Sequence, residues 1–177
     1  DDSRVIRSVL AGQTYSAVLT KGGAVWYWGT DSSPKKVITS GVTSIAGGSS
    51  HVLALTEDGS VLSWGANSQG QLGDGTSTTH STPAQVNDMN SGVVCISASN
   101  TTSLAVKADG SVWVWGSTGD YLAGPDQGSK QLSPVRVSNG LPEISQASIG
   151  GNFALALDRS GNLWVWGNNS YGQYGDG

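Results

Sequence analysis

The sequence is short of charge, cysteine and long apolar runs. Of its 177 residues only 9 are Lys or Arg and 13 are Asp or Glu, a formal net charge of −4. Charged residues make up 12% of the chain, about half the usual share. A surface that tracks phosphates needs clustered cations, so no direct nucleic-acid binding is expected. The adjacent pair Lys35-Lys36 reads as a solvated loop. No apolar run approaches the ~18 residues of a spanning helix, so no membrane span is expected. The single cysteine, Cys95, cannot close an intrachain disulfide. Its place in Val93-Val94-Cys95-Ile96 predicts a buried, inert thiol rather than a nucleophile. The chain starts at Asp1 rather than Met, so a processed or excised segment is expected and no targeting segment can be read from it.

What is abundant is glycine, with 26 residues, and tryptophan, with 7. That balance describes many short strands joined by turns, not a helical bundle. The dipeptide Trp-Gly recurs at Trp28, Trp64, Trp115 and Trp166, at spacings of 36, 51 and 51. A glycine stands five residues before each, at Gly23, Gly59, Gly110 and Gly161. Residues 44–75 align with 146–177 at an offset of 102 without a gap, so NSQGQLGDG at 67–75 falls on NSYGQYGDG at 169–177. The short first interval is a loop deletion. Trp28 reaches Pro34 in six residues, whereas Trp64 reaches Pro83 in nineteen. Such self-similarity marks an array of like units. They are expected at approximately 8–41, 42–92, 93–145 and an incomplete 146–177 within a single repeat array.

Each unit reads as four strands. In the second they are expected at Val42–Ala46, His51–Thr56, Ser60–Trp64 and Ala84–Val86. Glu57-Asp58-Gly59 is a tight hairpin signal, and Gly59, like its three counterparts, is expected at positive φ. Side chains alternate along a strand. Trp26 with Trp28, Trp113 with Trp115 and Trp164 with Trp166 therefore share one face. Smaller residues such as Val112 and Val114 take the other. A sheet apolar on both faces, large against small, fits sheets stacked around an axis, with the indoles in the core rather than forming a ligand platform.

The stretch SIAGGSSHVLALTEDGSVLSWGANSQGQLGDG at 44–75 resembles the regulator of chromosome condensation repeat. The third unit departs from it, with Ser99 and Thr102 in place of the motif's Gly and His and GSTGDYLAGPDQG in place of its Gly-Gln-Leu-Gly loop; the first unit lacks that loop. The resemblance implies an all-β propeller of four-stranded antiparallel blades. About four blades are present, a partial array or fragment of a seven-bladed ring. It also implies several uses: recognition domains in larger proteins, nucleotide exchange on a small GTPase, and, in a bacterial secreted member, inhibition of β-lactamase.

Catalytic constellations are sparse. His51 shares its column with Tyr15, Thr102 and Phe153, which marks a structural strand start rather than a metal ligand. His80 lies in TSTTHST, a mobile loop by composition. Asp74 and Asp176 lack the alternating acids and Glu of a calcium loop, and Glu57, Asp58, Asp109 and Asp158 belong to hairpin turns. No enzyme activity, cofactor or metal site is expected.

In an up-and-down blade the connections after the first and third strands emerge at one end. That end gathers 47–50 with 65–82, 99–101 with 116–133, and 150–152 with 167–177. It carries Tyr121, Tyr171 and Tyr174, together with His80 and Asp120. Tyrosine offers apolar area with a polar tip, which suits an interface. Tyr171 and Tyr174 would equally serve to cap their blades. We expect a non-enzymatic module that binds another protein through this end. Self-association through apolar faces at either end of the stack is expected as well. Low charge and polar loops suggest a secreted or cell-surface bacterial setting.

Overall fold

The four hairpin glycines have the backbone their turns demand. Gly23, Gly59, Gly110 and Gly161 lie at φ of 76°, 78°, 82° and 85°. In the computed structural model, which describes residues 4–29, 33–119, 121–125 and 127–177, each glycine joins the second and third strands of a sheet. The first sheet comprises β1 (Ile6–Ala11), β2 (Ser16–Thr20), β3 (Val25–Trp28) and β4 (Lys35–Ile38). The second comprises β5 (Val42–Gly47), β6 (His51–Thr56), β7 (Val61–Gly65) and β8 (His80–Gln85). The third comprises β9 (Val93–Ser99), β10 (Thr102–Lys107), β11 (Val112–Ser117) and β12 (Lys130–Arg136), and the fourth β13 (Ile144–Ile149), β14 (Phe153–Asp158) and β15 (Leu163–Gly167). Within each sheet the strands pair in chain order and antiparallel. The protein is thus an all-β array of four propeller blades, three of them four-stranded and the fourth with three described strands.

Blades stack by one rule. Val52 stands opposite Trp64 and Ala54 opposite Leu62 across the β6–β7 ladder, so they share a face. That face packs on Tyr15, Leu19 and Val25 of the first blade. The reverse face of the second blade, with Leu53, Leu55 and Val61, packs on Ala105 and Trp115 of the third. In the same way Leu104, Val112 and Val114 receive Ala154, Ala156 and Trp166. Small Ala beside each Trp leaves room for the indole. The three core clusters are therefore the three seams between blades.

Main-chain bonds cross the seams at the hairpin end. Val42, Val93 and Ile144 donate to the carbonyls of Gly23, Gly59 and Gly110 at 3.1, 3.0 and 2.9 Å. First strands of neighbouring blades also touch: Ile149 N donates to Ser97 Oγ at 3.1 Å.

Three expectations are corrected. The fourth strand of the second blade starts at His80, not Ala84, and the run expected to be a mobile loop enters the sheet with His80 opposite Gly65. Main-chain pairing with the edge of β7 needs no apolar side chains, which is why the polar composition misled. Trp64, Trp115 and Trp166 are buried, but Trp26, Trp28 and Trp113 are only half-buried and Trp164 is exposed. Trp28 belongs to a face that no described blade covers. The Trp26, Trp113 and Trp164 column lies toward the hairpin end, where Lys36 and Lys107 sit over Trp26 and Trp113 at 5.2 and 5.0 Å and Trp164 Nε1 donates to Asp158 at 3.0 Å. Finally, Cys95 is half-buried and Val94 exposed. The β9–β10 register slips at Val94, leaving it unpaired in a bulge. Thr43 and Ser145 hold the equivalent bulges and donate their hydroxyls to Leu55 O and Leu157 O at 3.2 and 3.1 Å; Val94 has no hydroxyl to do so.

Candidate functional site

The loops gather at the end where they were expected. Gln13 N donates to Ser49 O and Ser49 N to Asn100 O, at 2.8 and 2.9 Å, linking the first-strand turns of three successive blades. Within each blade that turn holds the exit of the third strand: Ala66 N donates to Ser50 O, Ser117 N to Thr101 O, and Asn168 N to Asn152 O. A rigid scaffold therefore displays the longer loops.

Those loops have a repeated internal build. In the second blade Asn67 Oδ1 accepts from Leu72 N at 3.0 Å and Gln71 Oε1 from Gln69 N at 2.9 Å. In the fourth, Asn169 accepts from Tyr174 N and Gln173 from Tyr171 N, each at 2.9 Å. Asp74 and Asp176 close the two turns by accepting from Asn67 and Asn169 at 3.2 Å. Local hydrogen bonds hold the Asp74 carboxyl below the usual carboxylate range despite the opposing effect of its partial burial.

The tyrosines occupy different columns of this loop. Tyr171 matches Gln69 and projects into solvent, 94% exposed; Tyr121 matches Gly70 and is 63% exposed. Tyr174 matches Leu72 and is committed to its own blade, its hydroxyl donating to Gly167 O at 2.5 Å. His80 Nδ1 donates to Thr82 O at 2.9 Å and Nε2 lies 3.3 Å from Asp74 Oδ2, so its ring is anchored at the start of β8. Asp120 lies outside the described residues.

Beneath the loops, side chains tie blade to blade. Tyr15 donates its hydroxyl to Gly48 O and His51 O at 3.0 and 2.8 Å, and burial pushes its pKa up. One repeat later His51 reaches Ser103 Oγ at 2.8 Å, and Ser103 donates to Gln71 O at 2.8 Å. The single hydroxyl proton of Ser103 is thereby used, so His51 donates from Nε2 and its buried Nδ1 is left without a partner among the described residues. Burial lowers the His51 pKa to about 4, which keeps the ring neutral. Two members of the column expected to be structural, Tyr15 and His51, latch neighbouring blades, whereas Thr102 donates to Ser117 O within its own blade.

The acids expected in hairpin turns stand apart. Asp58, Asp109 and Asp158 each accept from the amide two residues on, at 3.1, 2.9 and 2.8 Å, in separate hairpins at the opposite end. Among the described residues no three His, Cys, Asp or Glu side chains form a metal-binding group, and no helix is long and apolar enough to cross a membrane. The arrangement can bind and orient. One feature went unread in the sequence, a cavity of about 560 Å³ between the first and second blades. Its signal was the short 36-residue interval.

Models of the regulator of chromosome condensation (RCC1) repeat match residues 42–71, 58–106 and 144–173. The human E3 ubiquitin-protein ligase HERC2 is 33% identical over 193 residues, covering 97% of this chain and 4% of its own length. The ultraviolet-B receptor UVR8 of Arabidopsis thaliana is 29% identical, covering 97% of this chain and 43% of its own length. The crystal structure of human WBSCR16 is similar with a TM-score of 0.83 at 27% identity, over 92% of this chain and 47% of that one. The chain spans under half the length of each of these proteins.

Proposed function

We propose, on the premise that the chain belongs to the regulator of chromosome condensation repeat family, that it is a non-enzymatic module which binds a partner protein through the loop end of its blades. The observation that carries this reading is the exposure of Tyr121 and Tyr171 on loops fixed from below by main-chain bonds. Aromatic side chains held on a pre-ordered frame lose little entropy on binding. The acids sit in separate turns, which supports binding rather than catalysis.

The test is affinity capture with the full chain and with its Tyr121→Ala/Tyr171→Ala double variant. A partner retained by the first and lost by the second, with melting temperature unchanged, supports the proposal. Equal capture by both contradicts it. The two finer assignments implied by the family have their own readouts. Exchange on a small GTPase predicts faster release of labelled guanine nucleotide, and inhibition of a secreted hydrolase predicts a tight complex and lost β-lactamase activity.

We also propose self-association through the terminal faces. Val9 is 74% exposed on the face of the first blade that carries Trp26 and Trp28, and Leu163 is 63% exposed on the reverse face of the fourth. These are the two surface types that mate at every internal seam, so one copy's fourth blade complements another's first.

A further inference from the structure

The seam between the second and third blades shows what a filled groove looks like. The loop 67–75 lies against β12 so closely that a Cβ on Gly70 would stand 2.7 Å from Gln131 O. Gly75 N donates to Leu132 O at 2.9 Å, and Lys130 Nζ donates to Ser68 O at 2.9 Å. On the inner side Gln71 O accepts the Trp115 indole N–H at 2.9 Å. The next seam repeats the bond, with Trp166 Nε1 donating to Leu122 O at 3.0 Å.

Among the described residues the first seam has the same walls without the filling. Its counterparts of Gln131, Leu132, Ser133 and Pro134 are His80, Ser81, Thr82 and Pro83, and its counterpart of Trp115 is Trp64. The first unit is too short to supply the loop. A cavity of about 560 Å³ lies there, lined by Tyr27, Trp28, Lys36, Ser81, Thr82 and Pro83 among others. The buried Trp64 Nε1 has no hydrogen-bond partner among the described residues. Tyr27, which replaces the small Ser63 of the next blade, turns toward Trp64 with ring centroids 6.1 Å apart and planes at 77°, taking up part of the space. A buried donor without an acceptor is unfavourable and rare.

We propose that this groove receives a turn-forming segment of a partner protein built like Gly-Gln-Leu-Gly-Asp. Its glycines permit close approach to Ser81 and Thr82. A leucine-sized side chain packs on Tyr27, a main-chain carbonyl accepts from Trp64 once Tyr27 yields, and the acid lies on the side of Lys35, which stands opposite Tyr27 across the β3–β4 ladder and lines the cavity. The groove lies on the first two blades and the exposed tyrosines on the last two, so this site and the loop-end surface stand or fall separately.

The experiment titrates the isotopically labelled full chain with a cyclic peptide of sequence NSQGQLGDG, that of residues 67–75. The Trp64 indole N–H resonance is expected to move downfield and saturably, together with the amides of Ser81 and Thr82, while that of Trp115 stays still. Replacing the peptide's leucine by aspartate should weaken binding about tenfold or more, as a polar group enters an apolar pocket. Thr82→Trp, an exposed change that plugs the groove, should abolish the shifts at an unchanged melting temperature. No shift at millimolar peptide, equal binding of the aspartate peptide, or undiminished binding to Thr82→Trp overturns the proposal. So does a Trp64 shift that follows protein concentration alone, which would make a second copy the occupant.

Discussion

Trp115 donates its indole N–H to the carbonyl of Gln71 at 2.9 Å, so the third blade grips the loop of the second. Trp64 stands in the same column one repeat earlier, equally buried, and donates to nothing among the described residues. Trp115→Phe should therefore destabilise the chain by about 1 kcal/mol more than Trp64→Phe. Both variants leave a similar void, so the difference isolates the hydrogen bond. Urea denaturation measures it, and equal losses would show that the bond contributes nothing.

His51 gives the fold a pH dependence. Its pKa of about 4 in the folded chain lies below the ordinary 6.5, so the unfolded chain binds the proton more readily. Its contribution to stability is complete above pH 6.5 and is lost as pH falls toward 4, by an amount on the order of 3 kcal/mol. His51→Phe, which installs the residue that Phe153 supplies in the fourth blade, should flatten the slope between pH 6.5 and 5. An unchanged slope in the urea midpoint would contradict this assignment.

Glycine at the hairpins has two separable reasons. Alanine at either Gly59 or Gly161 faces a strained positive φ costing about 1 kcal/mol. At Gly59 the new Cβ would also meet Gly92 N at 2.7 Å, whereas at Gly161 nothing lies within 4 Å. Gly59→Ala should lower the melting temperature clearly more than Gly161→Ala; the reverse order would mean that the seam at Gly92 yields freely.

The terminal faces make a further prediction. Light scattering should show the mean mass of the chain rising with concentration, and Leu163→Glu should suppress the rise by placing a charge on an exposed apolar face. A monomer at every concentration would contradict self-association.

Much of this architecture was legible in the sequence because each blade repeats the same problem. A glycine at every hairpin, an indole beside a small Ala and a Leu on the reverse face specify the sheets, their faces and their order of stacking. What escaped notice depends on context rather than on residue type. His80 joins β8 through its main chain, which leaves no side-chain pattern. Trp164 is exposed although its column reads as core, because the column runs out toward the hairpin end. Val94 is exposed because a bulge turns it out. The Trp64 N–H, unpartnered among the described residues, lies beside the shortened first unit, and that interval is all that records it.

The loop-end surface is tested most directly by hydrogen–deuterium exchange of the chain with and without its captured partner. The account predicts added protection at 116–133 and 167–177, around Tyr121 and Tyr171, with the hairpins at 21–23, 57–59, 108–110 and 159–161 unchanged. Protection confined to those hairpins would contradict it.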